Sequence, residues 1–460
     1  MRRDLGGAGS APTAPKQKQG RRRRFRMSGL DLFERLESNV RSYGRMFPTV
    51  FVRAEGYRLI DRHGRIYLDF FAGAGALNYG HNDSAMKAAI IRYLEADGIV
   101  HSLDMATEAK GRFLHHFENI ILKPRGLNYK VLFPGPTGTN AVEAAMKLAR
   151  KATGRTAVYG FTRGFHGMTL GSLAVTGNRA KRAGAGVPLP YGMALPYDGY
   201  FGPDVDTIDW IERLLTDPGS GVDLPAAIIV ETVQGEGGLQ AASWPWLRRL
   251  RALTERLGIV LIVDDIQTGS GRTGPFFSFE RAGIVPDIVT LSKSIGGFGL
   301  PFSLVLVRPD LDVLGPGVHN GTFRGNNLAM VAATEALRRW ETPAFEAAID
   351  EKAALLRRRL EGLRDAVRER GIAAEVRGRG LMQGLWLEPP GLASAVSREA
   401  FRRGLIVETS GPEDEVVKLL PPLIIDEAGL EDGLMRLEAA ILAAIETIRS
   451  EVAPSAVAGR

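Results

Sequence analysis

From about residue 75 to 325, short apolar β-branched runs alternate with amphipathic stretches, and no other feature restricts the chain as much. The runs cover 130–133, 157–161, 226–230, 260–264, 288–291 and 303–307. Helices fit between them, notably over 140–151 and over 245–257, the second closed by Gly258. Strand–helix alternation of this length predicts an α/β domain on a mainly parallel sheet. Ahead of it, Leu32, Leu36 and Val40 predict a short helix over 28–41, and strands are expected over 50–54, 57–60 and 68–70. Beyond 325 come Ala/Leu/Arg-rich helices over 327–340 and 344–370, a strand pair near 374–387 and a last helix at about 428–451. These make a smaller α+β unit. The expected division is a basic tail over 1–26, a first segment of the small domain over 27–75, a large domain over 76–325 and the rest of the small domain over 326–460. A chain of 460 residues has room for two or three such units.

Chemistry concentrates in Leu261-Ile262-Val263-Asp264-Asp265-Ile266-Gln267, an apolar strand that ends in carboxylates. Ligands of open α/β sheets bind at such strand ends. About thirty residues on, Ile288-Val289-Thr290-Leu291-Ser292-Lys293 ends a second apolar strand in a lysine. Outside the tail the chain uses forty Arg and ten Lys, and Lys293 is the only Lys between Lys181 and Lys352. A lone lysine in an arginine-rich chain points to a need for an amine that can lose its proton, which arginine cannot do. An acid and a lysine at one sheet edge match pyridoxal phosphate, which needs an amine for its aldehyde, an acid for its ring nitrogen and a cradle for its phosphate.

Pro136-Thr137-Gly138-Thr139-Asn140, opening a helix, offers the cradle: Gly138 lets the backbone approach an anion, Thr139 brings a hydroxyl, and the helix start brings N–H groups. Gly269-Ser270-Gly271-Arg272-Thr273-Gly274 has the spacing of a dinucleotide fingerprint, but Pro275-Phe276-Phe277 follows where that motif needs a helix. Among seven histidines only His115 and His116 are adjacent, and neighbouring side chains on a helix diverge, so they read as surface and not as a metal pair. No metal is expected.

With these residues the chain resembles the class III (ω-) aminotransferases, a fold-type I pyridoxal-phosphate family, over roughly residues 45–450. The motifs are Val263-Asp264-Asp265-Ile266-Gln267-Thr268-Gly269 with Gly271-Arg272-Thr273-Gly274, then Pro286-Asp287-Ile288-Val289 ahead of Lys293. Stretches such as Asn78-Tyr79-Gly80-His81-Asn82 and Asn320-Gly321-Thr322-Phe323-Arg324-Gly325 resemble members acting on L-2,4-diaminobutyrate and 2-oxoglutarate, in the direction that supplies ectoine. The resemblance implies that Lys293 binds the cofactor covalently and shuttles a proton. It implies that Asp264 pairs with the ring nitrogen, Ile266 packs under the ring, Gln267 bonds its 3′ oxygen and Phe165 stacks on the other face. Gly138 and Thr139 would hold the phosphate, with Thr322 reaching it from a neighbouring subunit, so that a dimer with shared sites is expected. Arg377 would clamp the α-carboxylate of glutamate or 2-oxoglutarate, and Glu236 would neutralise Arg377 while the diamine is bound. Met168 stands where ornithine-type members carry an arginine, which makes ornithine a poorer expected donor. Another terminal amine such as 4-aminobutyrate, or diaminobutyrate made for a different pathway, is the alternative.

The net charge of +7 belongs to the tail, where nine Lys/Arg face one acid within residues 1–26; the rest is close to neutral. Such a tail reads as disordered, and it is too short to build a nucleic-acid-reading module, so no nucleic-acid partner is expected. It has no apolar core of a secretory signal. The absence of cysteine excludes disulfides, a thiol nucleophile and iron–sulfur sites, and fits a cytoplasmic protein. No apolar run approaches the ~20 residues of a membrane helix.

Overall fold

The computed structural model describes residues 29–452, so the basic tail expected over 1–26 lies outside the described residues. Residues up to Val50 form one compact unit and those from Phe51 onward another. In the first, the helix expected over 28–41 runs only over Asp31–Leu36, and a second short helix, Tyr43–Met46, follows beyond that span. Ser38-Asn39 is a pair that competes with helical backbone, and Arg45 caps the segment after it by donating to the carbonyls of Asn39 and Arg41. Leu36 and Val40 are exposed there.

The centre of the second unit is a seven-stranded sheet in the order Lys130–Leu132, Leu304–Val307, Ile288–Leu291, Val260–Asp264, Ala227–Val230, Val158–Phe161 and Gly192–Leu195. All six runs read from the sequence are strands of this one sheet. The seventh, Gly192–Leu195, escaped that reading because Gly-Met-Ala-Leu has no β-branched residue. Strands pair in parallel except Leu304–Val307, which is antiparallel to both neighbours. Alternation along Val260–Asp264 explains the uniform apolarity of these runs. Val260 and Ile262 face a core shared with Ala141, Val142 and Ala145 of the helix Gly138–Thr153, while Leu261 and Val263 face a core shared with Trp246, Leu247 and Leu250 of the helix Trp244–Arg256. With helices on both faces, neither side of the sheet needs polar residues. Each fully buried Leu or Val here contributes about 1.5–3 kcal/mol.

Two smaller sheets flank it in sequence. Phe51–Glu55, Arg58–Asp61 and Ile66–Asp69 pair antiparallel, and Leu405–Ile406 joins the last of them in parallel. Ala374–Arg379, Met382–Leu387, Val416–Leu419 and Glu408–Ser410 form an antiparallel sheet in that order. The helix Glu427–Val452 buries Leu430, Leu434, Leu437, Ile441 and Ile445, a spacing of three and four residues that makes one apolar stripe.

The dinucleotide-like stretch is a series of turns, as the proline required. Its Arg272 is fully buried and donates to the carbonyls of Leu381 and Pro421 and to Asn78 Oδ1. Arg272→Ala orphans three buried acceptors, so urea unfolding should show a loss of about 3–5 kcal/mol. A loss under 1 kcal/mol would show that these bonds do not brace the core.

Candidate active site

Val260–Asp264 and Ile288–Leu291 run parallel with Asp264 opposite Thr290, so both strands deliver their C-terminal residues to one edge of the sheet. Lys293 follows at once and opens the short helix Lys293–Gly296. Its φ of +53° lies in the left-handed region, a strained conformation for a residue with a side chain. The Nζ donates to the Ala74 carbonyl at 2.9 Å. Burial pulls the Lys293 ammonium below its usual range; Lys418 adds to this, while Glu236, Glu408 and Asp264 oppose it. A neutral, nucleophilic amine is thereby favoured.

Asp264 is buried and held from three sides: His166 Nδ1 lies 2.7 Å from its Oδ2, and Oδ1 accepts from Thr290 Oγ1 and the Ile266 N–H, each at 3.2 Å. Burial alone would lower the His166 pKa, but the bond and charge of Asp264 overcome it and raise it. His166 had no role in the sequence reading. It lies 98 residues from Asp264, and only its place directly after Phe165 marked it.

Phe165 is half-buried, with Lys181 Nζ 4.3 Å from its ring centroid. Its N–H donates to Glu231 Oε1 at 2.8 Å, and the other oxygen of Glu231 accepts from the Gly235 N–H at 3.0 Å, tying the Phe165 loop to the Glu236 loop. Burial pushes Glu231 up to about 7. Gly138 and Thr139 are the first two residues of the helix Gly138–Thr153. A Cβ on Gly138 would come within 3.0 Å of the Ile266 side chain, so the cradle and the residue expected under the ring touch only because Gly138 has none. The Thr139 hydroxyl joins those of Thr169 and Ser172, at 2.6 and 2.9 Å. Gln267 Nε2 donates to the Ala74 carbonyl at 2.9 Å, while its Oε1 is buried with no hydrogen-bond partner.

One expectation is corrected. Glu236 does not neutralise Arg377; its Oε1 lies 2.8 Å from Nζ of Lys418. Arg377 instead pairs with Glu375 at 2.7 Å and lies over the Trp386 ring. Register explains the exchange. Arg377 is opposite Gly384, Gly384 opposite Lys418, and Lys418 opposite Glu408, so all four lie in one cross-strand row. Two strand spacings, roughly 10 Å, separate the two cations. Gly384 keeps the row closely packed: a Cβ there would come 2.3 Å from the Val417 carbonyl. Lys418 is fully buried and needs carboxylates, whereas Arg377 keeps some contact with water. Lys418 and Glu408 were missed in the sequence. The same signal that marked Lys293, a lone lysine in an apolar strand (Val416-Val417-Lys418-Leu419-Leu420), marks Lys418 as well. Attraction to Lys418 and Lys293 outweighs burial and brings Glu236 down to about 2.

The model of the family described as aminotransferase class-III matches residues 40–441. The chain belongs to the class-III aminotransferase family. A diaminobutyrate–2-oxoglutarate transaminase from Halalkalibacterium halodurans is 60% identical over 418 residues, 91% of this chain and 97% of that protein. One of the same name from Bordetella parapertussis is 55% identical over 429 residues, 93% and 97% of the two chains. Among solved structures, the ornithine aminotransferase from Toxoplasma gondii superimposes with a TM-score of 0.79 at 26% identity, covering 91% of this chain and 95% of that one. An amine transaminase from an uncultivated Pseudomonas species, in its PLP-bound form, gives 0.78 at 27% identity, with 89% and 98% covered. The fold is the fold-type I aminotransferase fold, as the resemblance implied, and its central sheet is mainly parallel, as the alternating runs predicted.

The cofactor of class-III aminotransferases is pyridoxal 5′-phosphate, and the residues of this site fit it. The Lys293 amine, its pKa lowered, rests on a backbone carbonyl that a ligand can replace. A braced carboxylate stands at the same edge, the Gln267 amide has an N–H group that can donate to a ring oxygen, and a helix start with Gly138 and Thr139 suits a phosphate. Thr322 is exposed in the short helix Thr322–Arg324, and its carbonyl bonds His101 Nε2 at 2.7 Å. Among the described residues no group of three or more His, Asp or Glu is placed to hold a metal ion, and no helix is long and apolar enough to cross a membrane.

Proposed function

We propose that this aminotransferase moves the 4-amino group between L-2,4-diaminobutyrate and 2-oxoglutarate, giving L-aspartate 4-semialdehyde and L-glutamate. The name shared by relatives at 55–60% identity over nine-tenths of the chain supports the substrates. The observation that carries the reading is the buried Glu236–Lys418 pair beside Lys293. The two half-reactions place different groups on the reacting carbon: only hydrogens for the terminal amine, a carboxylate for glutamate. The cation that serves the second keeps a fixed carboxylate, but the N–H meant for the substrate would be buried without an acceptor during the first, which is costly. Glu236 covers it and then gives way to the substrate carboxylate. Lys418 thus takes the role expected of Arg377, and Arg377, on the same row, receives the far end of the dicarboxylate.

Bound here, pyridoxal phosphate supplies an aldehyde that takes up the amino group and a ring that accepts electrons from the reacting carbon. Lys293 Nζ anchors the cofactor and then moves the proton at that carbon. Asp264, oriented by His166 and Thr290, keeps a proton on the ring nitrogen. Ile266 and Phe165 hold the two ring faces, Gln267 the 3′ oxygen, and Gly138 and Thr139 the phosphate. Thr322 completes the phosphate site of a second copy in a homodimer. Support for that dimer comes from the exposed apolar residues Ile99, Val100, Leu103, Met105 and Phe323 around it. The small domain comprises 27–75 and 326–460, the large one 76–325, and the protein works in the cytoplasm, in the direction of ectoine synthesis.

A panel of diaminobutyrate, ornithine, 4-aminobutyrate and lysine as donors to 2-oxoglutarate tests the substrate. Diaminobutyrate should give the highest kcat/KM; a preference for 4-aminobutyrate or ornithine overturns it. Lys418→Met should raise the KM for 2-oxoglutarate on the order of 100-fold, with a smaller effect on the diaminobutyrate half-reaction. Equal losses in both would remove Lys418 from the exchange.

A further inference from the structure

Lys418 keeps a second carboxylate that the exchange at Glu236 does not use. Glu408 stands directly opposite it across the antiparallel strands Glu408–Ser410 and Val416–Leu419, with Oε1 2.9 Å from Nζ. Its side chain is 3% exposed, against 20% for Glu236. Glu236 sits in a turn among Gly235, Gly237 and Gly238, whereas Glu408 is fixed in a strand. One carboxylate is built to move and the other to stay. The ammonium has three N–H groups, and they face Glu236, Glu408 and the Gly235 carbonyl, the last at 3.0 Å.

Neutralising one lysine takes one carboxylate, so with Glu236 in place the Glu236–Lys418–Glu408 cluster has one negative charge in excess. When Glu236 withdraws, Lys418 and Glu408 balance each other, and the departing carboxylate leaves one N–H for a substrate oxygen. Resting on the transaminase reading above, we propose that Glu408 determines donor specificity. Burial and the nearby Glu236 push the Glu408 carboxyl up while Lys418 pulls it down; held as the carboxylate by the ammonium 2.9 Å away, it makes the closed site anionic. The site then favours a donor with a second ammonium group and no carboxylate on the reacting carbon over a donor of the glutamate type. A unit charge several ångströms away, at an effective dielectric of about 20, is enough for a preference on the order of tenfold.

The test is Glu408→Gln in the holoenzyme, a change that keeps the shape and an acceptor for Lys418 but removes the charge. Half-reactions with diaminobutyrate and with glutamate are followed separately through the absorbance of the bound cofactor. The ratio of kcat/KM for diaminobutyrate to that for glutamate should fall about tenfold, and calorimetry should show tighter binding of glutarate, an unreactive dicarboxylate. Glu408→Asp keeps the charge and should preserve the ratio even where both rates drop. An unchanged ratio in Glu408→Gln, equal losses with both donors, or the same fall in ratio in both variants overturns the proposal. So does a Glu408→Gln protein that no longer folds, since the residue would then serve stability alone. A wild-type enzyme that ignores diaminobutyrate would instead refute the substrate reading.

Discussion

Lys293→Ala is expected to lower turnover on the order of 10³-fold or more with every donor. Two separate tasks converge on this amine. In the proposed mechanism it is the group to which the cofactor is attached, and the base that moves the proton at the reacting carbon. Its surroundings are arranged for both: burial lowers its pKa, a left-handed backbone places it, and Ala74 supplies only a weak, replaceable acceptor. No other lysine takes its place, because Lys418 is held by two carboxylates that raise its pKa. Borohydride treatment followed by peptide mapping checks the result independently of activity. Wild type should be labelled at Lys293 and the variant at no site. Turnover within tenfold of wild type, or labelling at another lysine, would remove Lys293 from the mechanism.

Asp264→Asn should cost on the order of 10²–10⁴-fold in kcat, nearly equally in both half-reactions. The amide keeps the size and the bonds to Thr290 and the Ile266 backbone, so the change isolates the charge. Without the carboxylate nothing holds a proton on the ring nitrogen, and His166 loses the partner that raises its pKa. This equal loss contrasts with Glu408→Gln, which should separate the two donors. Single-turnover rates with diaminobutyrate and glutamate measure both. A variant that loses activity with one donor only would place Asp264 in substrate recognition.

Much of the framework was legible before any coordinates. Five of the six apolar runs are strands buried on both faces, which carry an unbroken apolar signal, and the sixth, Lys130–Leu132, is a partly exposed edge strand of the same sheet. The helix over 138–153 extends the expected span by two residues at each end, and the helix over 244–256 lies one residue ahead of the expected one. Gly192–Leu195 was not legible, since Gly-Met-Ala-Leu holds no β-branched residue to mark a strand. The helix expected over 28–41 stops at Leu36, ahead of Ser38-Asn39, a pair whose side chains compete for the backbone.

By itself the sequence determined which residues stand at strand ends and which lysine is isolated among arginines, because burial periodicity and residue choice are local properties. From these came the sheet, Lys293, Asp264 and the cofactor. Only the tertiary structure decided that His166 braces Asp264, that Glu236 covers Lys418 and not Arg377, and that Glu408 completes the cluster. Those choices depend on cross-strand register and on contacts between residues up to 182 positions apart, and a buried charge selects its partner by proximity in space.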